Sequence, residues 1–285
     1  MYVLCSPCIL DPALRADGIT KPADLVLFER CKERCNTFGI EMILLPCPET
    51  LYLGANRTPG TFLERLNSPE FFSLIDALEK EVREIIKLHG EPLCILGVNS
   101  SPTCGVTSTY YGRVGNEPPK RAGRGVFFMK LPHIAAMDVA TFSHYRIYLA
   151  APLFSDAERA YNLSVAGLLR EHFFDVFLPQ ETSDDPETRN DEEQRRIFTS
   201  NLDALKTADI LVAIIDGADA DSGTSWEMGY ASALGKKVIG LRTDFRKSGC
   251  YEKVNLMLEE SSIVVTNTKD LLEAAKSPRM LKSDS

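Results

Sequence analysis

Two carboxylates lie six positions apart in the segment Asp221-Ser-Gly-Thr-Ser-Trp-Glu227. The apolar run 210–215 before them predicts a buried parallel strand, and the pattern after them predicts a helix that Gly235 ends as its C-cap. We expect Asp221 in the loop between these elements. We expect Glu227 in the first turn of the helix, where the helix dipole stabilises an ionised carboxylate.

The chemistry that this pair suits is glycosidic-bond cleavage, in which one carboxylate attacks and the other handles protons. Ligands of open α/β sheets bind beyond the carboxyl end of a strand, where both residues are expected. The alternative is an ordinary helix start that carries acidic residues, since acidic first turns are common.

Eight cysteines form a second group of reactive side chains, and seven of them precede residue 105. Cys8, Cys47 and Cys104 each follow a predicted strand by a few residues, so they are expected to converge on one edge of a sheet. Three thiols there predict a metal or cluster site with one open coordination position, which indicates chemistry rather than a structural role. Cys5, in CxxC spacing with Cys8, is an alternative ligand. A structural α/β domain with ordinary free thiols is the other interpretation.

The elements that must position these residues alternate between strand and helix patterns. In the first half we predict strands at 2–5, 40–45, 93–98 and 125–129, helices at 24–38 and 71–89, and a mobile loop at 110–124. In the second half we predict strands at 146–150, 174–178, 210–215, 238–241 and 263–265, and helices at 155–171, 192–207, 226–234, 252–259 and 268–276. A polar segment at 180–193 and a frayed tail at 277–285 complete the chain.

This alternation predicts an α/β fold with two domains, 1–140 and 145–280, each a three-layer fold around a parallel sheet. The second domain is expected to be flavodoxin- or Rossmann-like.

Composition limits the classes of function. The chain of 285 residues is 44% hydrophobic and 25% charged with net charge −8, which is typical of a globular protein. No apolar run approaches the ~20 residues of a membrane span, and the start of the chain lacks the pattern of a signal peptide. We therefore expect a cytoplasmic protein that binds small molecules rather than nucleic acid or a membrane.

Three further segments of the second half are expected near the carboxylates: Tyr148-Leu-Ala-Ala-Pro, Asn201-Leu-Asp203 and Asn255-Leu-Met257. Each alone has an ordinary structural interpretation. Together with Asp221-Ser-Gly-Thr-Ser-Trp-Glu227 they resemble the nucleoside 2-deoxyribosyltransferase family, and the resemblance covers roughly residues 146 to 260.

This resemblance implies a nucleoside substrate and no cofactor for the second half. Glu227 would attack the anomeric carbon and form a glycosyl ester, Asp221 would contact the base and handle its proton, and Tyr148 would hold Glu227 or the sugar. The remaining matched positions are implied to bind substrate: Asn201, where many members have Asp, Gly223, Asn255 and Met257. The element with Asn255 crosses a subunit interface in the family, which implies a homo-oligomer. Transfer to a second base and hydrolysis by water both remain open.

The first half carries a second set of motifs: Cys8-Ile-Leu with Arg15-Ala-Asp-Gly18, Cys47-Pro-Glu49, and Ser101-Pro-Thr-Cys104-Gly. They resemble the thiouracil desulfidase family over roughly residues 1 to 130. The resemblance implies a [4Fe-4S] cluster held by Cys8, Cys47 and Cys104, with Glu49 and Ser101 as acid/base residues. The open iron position would take sulfur from a thiolated base.

Three hypotheses follow. In the first, the chain is a two-domain enzyme of nucleosides and nucleobases. In the second, the C-terminal domain is a non-catalytic nucleoside or nucleotide sensor that regulates the cysteine domain. In the third, an inactive zinc or scaffold domain is fused to a working transferase.

Overall fold

The structure is a computed structural model that describes residues 1–115, 117–182, 190–246 and 252–277. The chain divides into two compact units, Met1–Ser143 and His144–Ser285. Residues 183–189 of the predicted polar segment and 278–285 of the predicted frayed tail lie outside the described residues.

The first unit is built on a parallel sheet with the strand order β2-β1-β3-β6. Its strands, with those of a separate antiparallel pair, are β1 (Tyr2–Cys5), β2 (Glu41–Leu44), β3 (Ile95–Gly97), β4 (Ser108–Tyr110), β5 (Lys120–Ala122) and β6 (Ala136–Asp138). Strand β1 is apolar and buried throughout because it lies inside the sheet. The sheet order reverses between β1 and β3, so the segments that follow these strands meet at one edge.

Helices cover this sheet: α1 (Pro22–Thr37), α2 (Pro48–Leu53), α3 (Phe62–Arg65), α4 (Pro69–His89) and α5 (Val139–Ser143). In α4 the buried residues Phe71, Ile75, Leu78 and Val82 recur at three- and four-residue spacing, which gives the helix one apolar face. The Ser68 side chain caps its start by accepting from the backbone N–H of Phe71 at 3.1 Å.

Two predictions for the first unit are wrong. Residues 125–129 do not form a strand. The backbone N–H groups of Phe127 and Phe128 donate to the Thr103 carbonyl, and the segment continues into a 3-10 helix. The fourth strand of the sheet is β6 instead. The segment 110–124 is not simply a loop, because β4 and β5 pair across it in antiparallel register. The Arg121 guanidinium stacks 4.1 Å from the centroid of the Tyr111 ring and ties the pair together.

The second unit is also a parallel sheet with helices, in the strand order β11-β10-β9-β7-β8. Its strands are β7 (Arg146–Ala150), β8 (Asp175–Phe177), β9 (Ile210–Ile214), β10 (Lys237–Leu241) and β11 (Ile263–Val265). Its helices are α6 (Asp156–Glu171), α7 (Asp191–Thr207), α8 (Ser222–Ala233), α9 (Leu256–Ser261) and α10 (Thr268–Lys276). Counted within the unit this order is 2-1-3-4-5, the flavodoxin order. The predicted α/β fold class is confirmed.

The central strand β9 is buried at all five positions, Ile210 to Ile214. A strand that is buried along its whole length needs helices on both faces of the sheet. Right-handed crossovers place helices on both faces, because the chain changes direction at the topological switch point between β7 and β9, where the strand order reverses. Among the described residues, none of the helices combines the length and apolar character that a membrane crossing requires.

Helix ends in the second unit depend on polar caps. Helix α8 begins at Ser222, four residues before the predicted start, because Asp221 is its N-cap. Helix α9 begins at Leu256 rather than at residue 252, because the Asn255 side chain accepts from the Met257 N–H at 3.0 Å. The predicted glycine end of α8 is confirmed: Gly235 has a φ of +70° and follows the last turn.

Candidate active sites

The switch point of the second sheet brings together two residues that are far apart in sequence. Strands β7 and β9 are neighbours, with Tyr148 opposite Leu211. The ring of Tyr148 is fully buried and stacks on Phe177 of β8 at a centroid distance of 5.5 Å. Its hydroxyl donates a hydrogen bond to Oε1 of Glu227 on α8, the helix that follows β9. The sheet therefore fixes one oxygen of a half-buried carboxylate.

Asp221 lies at the start of the same helix. As N-cap, its Oδ2 accepts from the Thr224 N–H at 2.9 Å and from the Thr224 hydroxyl at 3.3 Å. Glu227 is the sixth residue of α8, so the prediction that it lies in the first turn is wrong. The helix dipole acts mainly within the first turn, so it does not set the charge state of Glu227.

Burial sets the electrostatics of Glu227. It raises the pKa of this carboxyl to about 7, with the hydrogen bond from Tyr148 lowering it and the charge of Asp221 raising it further. The pKa of Tyr148 is also raised, first by burial and then by the charge of Glu227, so the phenol stays a donor. A carboxyl that titrates near neutral pH in a partly dry site is typical of an active site.

Two other predicted residues of this half lie on the flanking helices. Gly223 is in the first turn of α8, where a Cβ would lie 3.1 Å from Oδ2 of Asp221, so the absence of a side chain leaves that carboxylate accessible. Asn201 lies on α7, and its Oδ1 is buried without a hydrogen-bond partner among the described residues. The sequence interpretation missed Phe177, whose stacking on Tyr148 depends on strand register.

Asn255 and Met257 line a separate cavity of about 680 Å³ between α8 and α9, together with Trp226. Met257 is 74% exposed and Trp226 is 51% exposed. Of the described residues, neither Tyr148 nor Glu227 lines this cavity. Within one copy of the unit, the structure therefore does not bring Asn255 and Met257 to the carboxylate.

The first unit has a cavity of about 760 Å³ at the carboxyl edge of its sheet. Cys8 follows β1, Cys47 follows β2 and Cys104 follows β3, and all three line this cavity. Cys5, the alternative ligand, is fully buried in β1, and its thiol lies 3.4 Å from the carbonyl of Ser6. The predicted thiols thus face one space.

Glu49 and Ser101 line the same cavity and are hydrogen-bonded to each other. Oε1 of Glu49 accepts from the Ser101 hydroxyl at 3.0 Å and from the Thr103 hydroxyl at 2.9 Å. The other oxygen, Oε2, lies 3.6 Å from Nε of Arg57, whose side chain is 5% exposed. This network, with Arg57 and Thr103 missed by the sequence interpretation, holds Glu49 in one orientation. Thr103 stands inside the Ser101–Cys104 motif, so its place in sequence was a usable signal.

The thiols are electrostatically coupled. Burial raises the pKa of Cys8 to about 12, and the neighbouring Cys47 adds to the rise. Burial and then Cys47 also raise the pKa of Cys104. Cys47 is the N-cap of α2, and its sulfur accepts from the Thr50 N–H at 3.4 Å and from the Thr50 hydroxyl at 3.2 Å. Bringing three thiolates together needs a bound cation, whose binding would release protons.

Cysteine thiols are the donor type that an iron–sulfur cluster requires. Within residues 1–115, 117–182, 190–246 and 252–277, no three His, Cys, Asp or Glu side chains form a group that could hold one metal ion. In a [4Fe-4S] cluster each cysteine binds a different iron, so the ligands surround the cluster instead of meeting at one point. Three soft thiols around one cavity are the observation that suits such a group.

The fold and site of the second unit define a class of protein. It is a flavodoxin-like α/β domain with a carboxylate that accepts a hydrogen bond from a tyrosine at the switch point of the sheet. The family model for nucleoside 2-deoxyribosyltransferase matches residues 147–265. The C-terminal region of the chain therefore resembles the nucleoside 2-deoxyribosyltransferase family.

Individual proteins are similar over roughly a third to a half of the chain. An uncharacterized protein of Ureaplasma parvum serovar 3 is 35% identical over 115 residues, which cover 35% of this chain and 72% of that protein. A conserved protein from Enterococcus faecalis V583 of known structure is 30% identical, covers 46% of this chain and 97% of its own, and has a TM-score of 0.41. The 2-deoxyribosyltransferase from Bacillus psychrosaccharolyticus is 29% identical, with coverage of 44% and 89% and a TM-score of 0.40.

Proposed function

We propose that the C-terminal unit cleaves or exchanges the N-glycosidic bond of 2′-deoxynucleosides through a covalent intermediate on Glu227. The observation that carries this proposal is the hydrogen bond from the buried Tyr148 hydroxyl to the Glu227 carboxylate at the switch point. The match of residues 147–265 to the family model supports nucleosides as the substrate class.

The reaction takes two displacement steps. A Glu227 oxygen bonds to the anomeric carbon while the bond to the base nitrogen breaks, and its electron pair leaves with the base. Asp221 supplies or relays the proton that the departing base takes up. An incoming base nitrogen, or water, then displaces Glu227, and its proton returns to Asp221. Tyr148 keeps the carboxylate in position throughout.

A base-exchange assay tests this proposal. A 2′-deoxynucleoside is incubated with a second free base and wild-type protein, Glu227→Ala, or Glu273→Ala, which removes an exposed carboxylate of α10 as a matched control. New nucleoside formed by the wild type and Glu273→Ala, but not by Glu227→Ala, supports transfer, and free sugar supports hydrolysis. Activity retained in Glu227→Ala contradicts the proposal. No reaction on any common nucleoside favours the nucleoside sensor.

We further propose that the unit works as a homo-oligomer in which Asn255 and Met257 bind substrate in the site of a neighbouring copy. Their separation from Glu227 within one copy and the exposure of Met257 support this arrangement. Mixing Glu227→Ala with Asn255→Ala subunits under conditions that exchange subunits is expected to restore part of the activity, because some hybrid sites carry both intact residues. Two inactive parents that stay inactive after verified exchange contradict it.

For the N-terminal unit we propose a desulfidase of thiolated bases with a [4Fe-4S] cluster held by Cys8, Cys47 and Cys104. When bound, the cluster would offer an open iron position to the sulfur of the base. Glu49, oriented by Ser101, Thr103 and Arg57, activates the water that adds to the thiocarbonyl carbon. Ser101 passes a proton toward the departing sulfur. Oxygen replaces sulfur, which leaves as hydrosulfide, so no oxidant or reductant is consumed.

Anaerobic reconstitution with iron and sulfide tests this second proposal. We expect brown wild-type protein with visible absorbance and about four irons per chain. Cys104→Ser should lose most of this iron. The control Cys94→Ser, which changes a buried thiol beside β3, should load fully. Colourless protein that carries zinc, or equal loading of Cys104→Ser, contradicts the proposal.

A further inference from the structure

Ser6 is a fully buried polar residue at the carboxyl end of β1, and it lines the same cavity as Cys8, Cys47 and Cys104. Its Oγ is buried and has no hydrogen-bond partner in the part of the chain that the structure describes. Buried hydroxyls are almost always hydrogen-bonded, because removing one from water without a partner is costly. The Ser6 hydroxyl therefore indicates a partner that enters the cavity.

The backbone around Ser6 leaves its hydroxyl unused. Ser6 is the N-cap of the 3-10 turn Pro7–Ile9, yet its side chain makes no capping hydrogen bond. Its carbonyl accepts from the Ile9 N–H at 3.0 Å, and its N–H donates to the Leu96 carbonyl at 3.0 Å. Serine at an N-cap usually accepts from the helix start with its side chain. Here β3 and the 3-10 turn hold the backbone of Ser6 in place while its hydroxyl remains available.

Two other hydroxyls of the cavity, those of Ser101 and Thr103, already have an internal acceptor. Both bond Oε1 of Glu49. The Thr103 hydroxyl also lies 3.3 Å from the Cys104 sulfur. Ser6 thus differs from Ser101 and Thr103, because no carboxylate accepts a hydrogen bond from its hydroxyl.

We infer that the Ser6 hydroxyl donates a hydrogen bond to a sulfur of the iron–sulfur group bound among the three cysteines, and that it tunes the reduction potential of that group. This inference rests on the function proposed for the N-terminal unit. Thiolate and sulfide sulfurs carry negative charge and accept hydrogen bonds, and such bonds are among the factors that set a cluster's potential. A donor stabilises the reduced, more negative form more, so Ser6 raises the potential.

Ser143 offers a matched control. It is also fully buried in the first unit, but its hydroxyl has two carbonyl acceptors within hydrogen-bond distance, Leu27 at 2.7 Å and Val139 at 2.6 Å, so its single proton is satisfied. Removing a satisfied hydroxyl loses a hydrogen bond, whereas removing an unsatisfied one relieves a cost. The two serine-to-alanine changes are therefore expected to shift the thermal stability of the metal-free protein in opposite directions.

The experiment uses the full chain as wild type, Ser6→Ala and Ser143→Ala, each metal-free and after anaerobic reconstitution with ferrous iron and sulfide. In the metal-free state, we expect Ser6→Ala to unfold at a higher temperature than wild type and Ser143→Ala at a lower one. In the reconstituted state, we expect a redox titration of the visible absorbance to give a lower potential for Ser6→Ala and an unchanged potential for Ser143→Ala.

The outcomes separate the two proposals. Wild-type protein that takes up no iron overturns the cluster itself and the role of Ser6 with it. Wild-type protein that loads normally, together with a Ser6→Ala potential equal to that of wild type, overturns the role of Ser6 alone. The role of Ser6 is also overturned if the metal-free Ser6→Ala protein is destabilised to the same extent as Ser143→Ala. In that case the Ser6 hydroxyl would have a hydrogen-bond partner inside the protein.

Discussion

Tyr148→Phe removes the hydroxyl that donates to Glu227 and keeps the buried ring. Burial raises the pKa of Glu227 to about 7, and the Tyr148 hydroxyl opposes that rise. A hydrogen bond to a charged group contributes about 1.5–3 kcal/mol, which corresponds to a pKa change of about 1 to 2. In the variant the carboxyl is therefore expected to titrate at about pH 8 to 9.

The sign follows from the role of Glu227 as nucleophile, which requires the ionised form. Wild-type activity should fall as the pH drops through about 7. The activity of the variant should begin to fall at a higher pH, as the pH drops through about 8 to 9. At pH 7 about half of the wild-type carboxyl is ionised, against roughly 1 to 10% in the variant, so kcat/KM drops about 5- to 50-fold there. Most of this loss should be recovered in alkaline solution.

The assay is the pH dependence of kcat/KM for nucleoside cleavage. Tyr161→Phe is the control, because the side chains that act on the Tyr161 hydroxyl are Asp216 and Thr243 and do not include Glu227, and we expect this variant to keep the wild-type profile. A Tyr148→Phe enzyme that loses activity uniformly at every pH, with its acid limb unmoved, would show that Tyr148 does not act through the pKa of Glu227.

Two further predictions concern the same carboxylates. Folding raises the pKa of Glu227 from 4.5 to about 7, so its contribution to stability is greatest below pH 4.5 and is lost as the pH rises to about 7. Glu227→Gln should therefore raise the free energy of unfolding by up to about 3 kcal/mol at pH 8 and have little effect at pH 4. Urea unfolding that gives the same difference between variant and wild type at both pH values would contradict this. Asp221→Ala should cost about 1 kcal/mol of stability because α8 loses its cap, whereas Asp221→Asn keeps a capping oxygen. Both Asp221 variants should slow cleavage about 10²- to 10⁴-fold, and an Asp221→Asn enzyme with wild-type rate would remove Asp221 from the chemistry.

Long apolar patterns carried the fold prediction. The strands around 2–5, 146–150 and 210–215 were predictable because buried parallel strands are unbroken apolar runs. Strand β6 was missed because it has only three residues, two of them half-buried, so no pattern marks it. The aromatic run at 125–129 looked like a strand, but its backbone bonds the loop after β3 instead.

The site was predictable in part. Motif spacing and resemblance indicated Tyr148, Asp221 and Glu227, and the structure brings the first and last of these into contact. The neutral pKa of Glu227 depends on burial by the whole unit, which no local pattern encodes. For the same reason the Arg57–Glu49 pair and the unpartnered Ser6 hydroxyl emerged only from the folded arrangement. The roles of Asn201, Asn255 and Met257 stay predictions.

In the proposed mechanism Glu227 becomes covalently bonded to the sugar. Mass spectrometry of protein quenched with acid during turnover of a 2′-deoxynucleoside detects such a bond. We expect an added mass of one deoxyribosyl group, located to the peptide that contains Glu227 and absent from Glu227→Gln. An active enzyme that never carries the adduct, or carries it on another residue, would rule out Glu227 as the nucleophile.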